Sequence, residues 1–219
     1  MGKHLSEALA RTWRGKLPLV LLCLAVWTPT EVLAELLWSL IGDERFVMLT
    51  TTFVYLAGTS ACTAGFMHVF ARDTQGATTS PSEAMRMAMK RAVPVFLTQM
   101  LVQVLVLVGL LLLVIPALVA VVWCSLSTAI IVVEGSSGWP ALRRSRELVR
   151  GRFWPIVGVT AVLWIVPMVV NLGLTVIVNL APGQELMLNL ATGWLTILLQ
   201  APVHAALFGF YLEARLGDR

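Results

Sequence analysis

The sequence predicts an all-α integral membrane protein in which six transmembrane helices form three hairpins, each preceded by a cytoplasmic interfacial amphipathic helix. Three observations carry the prediction: long uncharged apolar runs, a one-sided distribution of basic residues, and a proline that divides the longest run. With 58% hydrophobic and only 13% charged residues, and a mean hydropathy of +0.84, the chain lies outside the usage of soluble domains. The expectation is a single membrane domain over residues 1–219.

No charged residue occurs in Phe46–Ala71, Ala92–Val133, Phe153–Gln184 or Leu186–Leu212. Since about 20 apolar residues cross a bilayer, each run can span it. The run Ala92–Val133 is long enough for two crossings, and Pro116, which cannot continue an i to i−4 ladder, is expected to divide it with a tight extracytoplasmic turn. The first span is read at 17–38, with Glu31 and Glu35 toward its far end. Basic residues, an apolar stretch and Val32-Leu33-Ala34 also mimic a signal peptide. A retained span is the preferred reading.

The basic residues then orient the bundle. Lys3, Arg11, Arg14 and Lys16 precede the first span, and Arg45 alone follows it; Arg72, Arg86, Lys90 and Arg91 follow the second. Arg143, Arg144, Arg146, Arg150 and Arg152 lie before the fifth, and Arg215 and Arg219 after the sixth. Fifteen therefore fall on one side and one on the other, which by the positive-inside rule places both termini in the cytoplasm.

The cytoplasmic segments resemble one another. Ser6-Glu7-Ala8-Leu9 and Ser82-Glu83-Ala84-Met85 stand the same distance before Pro18 and Pro94, and Trp139-Pro140-Ala141-Leu142 precedes Pro155 at a spacing about one turn longer. Three units follow, at roughly 4–70, 80–133 and 138–212. In the second, Ser80, Pro81 and Glu83 have the chemistry of a capping box. In the third, Leu142, Ser145, Val149 and Phe153 form one stripe and Arg143, Arg146 and Arg150 another, as in a helix lying in the headgroup plane. With Arg144 and Arg152 these arginines are candidate contacts for anionic lipid headgroups; a basic loop helix that serves topology alone is the competing reading.

Between Ile115-Pro116-Ala117 and Glu134-Gly135, and again from Ala141-Leu142-Arg143-Arg144-Ser145 through Gly151-Arg152-Phe153-Trp154, the chain resembles the bacterial membrane domain that accompanies some glycerophosphoryl diester phosphodiesterases, and related six-helix proteins. Tyr211-Leu212-Glu213-Ala214-Arg215 matches the closing pattern of that family in part, with Ala214 where Leu is usual. The resemblance implies a bacterial inner-membrane bundle. It carries no catalytic residue over, because the phosphodiesterase activity belongs to a separate soluble domain.

The chemistry-bearing residues are few. Cys23, Cys62 and Cys124 lie inside apolar runs without metal-ligand spacing, and His4, His68 and His204 are far apart. No nucleophile elbow, phosphate loop or dinucleotide fingerprint is present, so no catalysis, cofactor, metal or nucleic acid is expected. Glu31 and Glu35, one turn apart, form a candidate ionisable pair that could hold a cation or relay protons, or could face the interface. Asn189, Thr196, Gln200 and His204 share one face of the last span, as a cavity lining or as interhelical hydrogen-bonding groups. Gln99, Gln103, Asn171 and Asn179 invite the same two readings, and Ala57, Ala61 and Gly65 read as a packing stripe. Two functions follow: a non-enzymatic scaffold or accessory subunit acting on lipids or a partner membrane protein, which leads narrowly, and a small transporter or channel for a polar or lipidic solute.

Overall fold

The computed structural model describes residues 16–41, 43–180 and 185–217, with side chains apart from those of residues 16, 17, 23, 163, 164, 167, 174–180, 185–189 and 217. All secondary structure among them is helical: α1 (Lys16–Leu40), α2 (Glu44–Asp73), α3 (Pro81–Leu112), α4 (Val114–Cys124), α5 (Ser127–Glu134), α6 (Trp139–Val149), α7 (Phe153–Leu180) and α8 (Glu185–Gly217). Five stretches among the described residues are long and apolar enough to cross a membrane: Pro18–Leu40, Glu44–Asp73, Pro81–Leu112, Val114–Glu134 and Leu190–Leu216. In α7 the described apolar stretch, Phe153–Val162, is shorter than a crossing.

Local chemistry sets the ends. The Asp43 carboxylate caps α2 by accepting from the Arg45 and Phe46 amides at 2.9 and 3.4 Å. Ser80 caps α3 by accepting from the Glu83 amide, with Pro81 in the first position as expected. The Glu83 carboxylate does not close the reciprocal half of a capping box. Its Oε1 faces His68 and Arg72 at 3.4 and 3.6 Å, tying the end of α2 to the start of α3.

Two expectations about α3 need correction. Its first turns are not a separate interfacial helix, for α3 runs unbroken from Pro81 to Leu112 with Pro94 inside it. The turn after it falls at Leu113, not Pro116. Leu113 is extended, with φ 179° and ψ 157°, and Pro116 sits in the first turn of α4, where a missing amide proton costs no helical bond. The tight reversal depends on Gly109, since a Cβ there would fall 2.7 Å from the Ala117 Cα. Among the described residues only α6 is a separate amphipathic helix; the segment around Ser6 lies outside them.

The core concentrates at the end of the bundle that carries the basic residues. Leu22, Phe66, Met67, Val95, Leu126, Ile130, Phe208 and Tyr211 are all essentially inaccessible there. Toward the other end Leu107, Leu111, Leu112, Val114 and Ile115 are exposed, which suits hydrocarbon and would be costly in water. The small-residue stripe of α2 holds at Ala61 and Gly65, both buried, and departs from expectation only at its first member. Ala57 is exposed, while Gly58 lies against Thr30 of α1, and Gly65 against Leu22 and Ala88.

Candidate solute-binding cavity

A cavity of about 510 Å³ lies inside the bundle, a volume typical of small-molecule sites, roughly 300–1,000 Å³. Its wall is mixed, with aliphatic side chains such as Leu56, Val102 and Leu207 interspersed with a set of polar ones. From α8 come Thr196, Gln200 and His204, three members of the expected stripe; from α3 come Gln99 and Gln103, and from α7 Asn171 and Thr160. The side chains of Asn189 and Asn179 lie outside the described residues. Periodicity explains the grouping: 196, 200 and 204 recur every four residues, as do 99 and 103, so each set points one way.

Sequence reasoning missed the contribution of α2. Thr59, Ser60 and Thr63 line the cavity too, each returning its hydroxyl proton to a carbonyl of its own helix at 2.6–2.9 Å. The hydroxyl-rich run Thr59-Ser60-Ala61-Cys62-Thr63 was the available signal. Asn171 Nδ2 donates to Thr196 Oγ1 at 3.4 Å across α7 and α8, whereas Gln99, Gln103 and Gln200 have no hydrogen-bond partner among the described residues. Among the described residues no Asp, Glu, Lys or Arg lines the space. An unpaired carboxamide in an apolar medium costs roughly 2–7 kcal/mol, so these amides call for water or a ligand.

The fourth apolar stretch is broken beside this cavity. α4 ends at Cys124 and α5 starts at Ser127, and Val121, Cys124, Ser125 and Thr128 from either side of the break line the wall. Neither glycine nor proline causes it. Ser145 of α6, itself buried, donates its hydroxyl to the Trp123 carbonyl at 2.6 Å and accepts from the Leu126 amide at 3.2 Å. A side chain from another helix thus satisfies two backbone groups that the interrupted ladder leaves open, the condition for irregular backbone at membrane depth.

The expected ionisable pair is divided by its surroundings. Glu31 is only 5% exposed and accepts from the Tyr55 hydroxyl at 2.8 Å, while Glu35 is half-buried. The Tyr55 ring stacks on Trp27 with centroids 5.6 Å apart. Gly193 of α8 closes the group, since a Cβ there would collide with Trp27 Nε1 and come 2.7 Å from Glu31 Oε1. The two carboxylates thus do not share one environment, Glu31 being enclosed between helices and Glu35 only partly covered. Glu31 is an interhelical group whose partner Tyr55 lies one turn before the cavity residue Thr59 on α2, the Thr59 hydroxyl donating to the Tyr55 carbonyl.

The five arginines also part company. Arg143 and Arg146 on α6, and Arg150 at its C-terminal cap, are exposed, while Ala141, Leu142, Ser145, Leu148 and Val149 of the helix are buried. Glu147 lies 3.5 Å from Arg143 and 3.7 Å from Arg144, and the Arg146 guanidinium stands 4.2 Å over the Trp123 ring. Arg152 turns instead to Glu213 of α8, at 3.9 Å from its carboxylate. The end of α8 meets that of α5 where the buried Tyr211 donates to Glu134 at 2.9 Å.

Residues 92–213, more than half of the chain and all of the cavity wall except that from α2, match a family model described as a domain of unknown function, DUF7847. The chain belongs to the DUF7847 family. The matched stretch contains the Glu134-Gly135, Ala141-Leu142 and Tyr211 segments discussed above, and nothing links DUF7847 to the membrane domains of glycerophosphoryl diester phosphodiesterases. Neither curated proteins nor solved structures yield a match.

Proposed function

We propose that this DUF7847 protein is a small transporter or channel-like carrier that holds a polar or polar-headed solute inside a six-helix bundle. The observation that supports this most is the cavity of mixed lining, where Gln99, Gln103 and Gln200 find no partner among the described residues and are costly in hydrocarbon unless something hydrogen-bonds to them. The interrupted helix at Ser125–Leu126 adds support, because broken helices at a polar midplane site are a recurrent feature of transporters. In this reading α7 is the remaining span and the helices pair as three hairpins. The fifteen-to-one charge bias puts both termini in the cytoplasm, and the resemblance noted in the sequence puts the bundle in a bacterial inner membrane.

The test is hydration. In an otherwise cysteine-free protein, Thr196→Cys should alkylate quickly with a small uncharged maleimide and Leu198→Cys slowly, because a thiolate forms only where water reaches. Equal, slow reaction at both would mean a dry interior and would sink the carrier reading.

A second reading, a non-enzymatic scaffold or accessory subunit, draws on α6. Its arginine face and the exposed Trp139 and Trp154 offer a surface for anionic headgroups or for a partner membrane protein. A negative hydration result would leave this reading in front.

A further inference from the structure

We infer that the ligand of the cavity is an amphiphile, an uncharged hydrogen-bonding headgroup on an apolar chain, which enters sideways from the bilayer between α3 and α7. The inference rests on the carrier reading above and names its substrate class.

The opening is the first observation. Gln103 of α3 and Met168 and Asn171 of α7 line the cavity and are themselves exposed, Met168 by 69%, so the cavity reaches the flank of the bundle at these residues. Both helices pack on α4, whereas any direct contact between α3 and α7 is slighter than either of these. On the α3 side the opening lies along a membrane-length apolar segment, where hydrocarbon is the solvent.

The chemistry of rim and interior differs, and this is the second observation. Outside, Val104 and Leu107 of α3 and Ile165 and Leu172 of α7 present exposed apolar surface. Inside, Gln99 and Gln200, with Gln103 at the mouth, offer donors and acceptors, and no Asp, Glu, Lys or Arg stands among the described lining residues. An ionic headgroup would meet no counter-charge there and would keep its full desolvation cost. A water-soluble solute would have to cross the apolar rim. A molecule with an uncharged polar head and an apolar tail matches both zones at once.

The full-length protein in phosphatidylcholine nanodiscs tests this with three probes: a monoacylglycerol, glycerol, and a fatty acid of the same chain length. Monoacylglycerol should raise Tm by several degrees and slow alkylation of Cys124, a lining residue, by several-fold, read by peptide mass spectrometry. Glycerol and the fatty acid should do neither. Gln99→Leu with Gln200→Leu should abolish the shift, and the Cys124 protection in the unaltered protein keeps the test valid if that variant misfolds. Protection by glycerol as strong as by monoacylglycerol would overturn the amphiphile while sustaining a polar-solute site. A response to the fatty acid alone would overturn the uncharged headgroup. No protection of a Cys124 that alkylates freely would also overturn the inference, whereas a Cys124 that never alkylates would remove the carrier reading beneath it.

Discussion

The Tyr55 hydroxyl donates to Glu31 across 2.8 Å, joining α2 to α1 through a carboxylate that is almost wholly removed from the surface. Hydrogen bonds to such groups matter less for what they add than for what their loss exposes. Tyr55→Phe keeps the stack on Trp27 but strands the carboxylate, and should lower unfolding stability in detergent by about 1–3 kcal/mol. Adding Glu31→Leu to Tyr55→Phe should recover part of the loss, because both polar partners are then gone. A Tyr55→Phe variant as stable as the parent would show that the bond carries no weight.

Gly193 faces the same pair from α8. Gly193→Ala should cost roughly 1–3 kcal/mol through overpacking against Trp27 and Glu31, whereas Gly173→Ala, where a Cβ meets nothing within 4 Å, should be neutral or slightly stabilising. Comparing the two Tm values checks it. Equal effects would mean that α8 can shift away from α1 at little cost.

Ser145 holds the break between α4 and α5. Ser145→Ala removes the partner of the Trp123 carbonyl and the Leu126 amide together, so a loss of about 1–3 kcal/mol is expected. The diagnostic reading is faster amide exchange at Leu126 and its neighbours, with α2 unaffected. Exchange that stays as slow as in the parent would assign the break to packing alone.

Topology can be tested without reference to function. Cysteines placed singly at Ser137 and Gly183 should react with an impermeant reagent from opposite sides, as the charge bias requires. Labelling of both from one side would contradict six spans.

The arginine face of α6 makes the last prediction. Changing Arg143, Arg146 and Arg150 to Lys should preserve topology yet reduce anionic lipid retained by the purified protein, seen by native mass spectrometry, since Lys lacks the guanidinium fork that matches phosphate. Arg146→Lys also weakens its stacking on Trp123. Retention unchanged by all three substitutions would leave topology as their whole role.

Helix type, the apolar runs and the two-sided face of α6 could be read from residue order, because each follows from a period along one chain and from the cost of charge in hydrocarbon. The same periods put Thr196, Gln200 and His204 on one face, and Gln99 and Gln103 on another. They could not say that these faces meet across a cavity, which depends on how α2, α3, α7 and α8 are placed around it. Nor could they find the break at Ser125–Leu126, since neither glycine nor proline marks it; a serine nineteen positions beyond Leu126 supplies the missing partners. The turn at Leu113 instead of Pro116, and the burial of Glu31 beside Tyr55, have the same origin. Local sequence sets what each segment can tolerate, and contacts between distant segments select where a turn falls and which polar groups are enclosed.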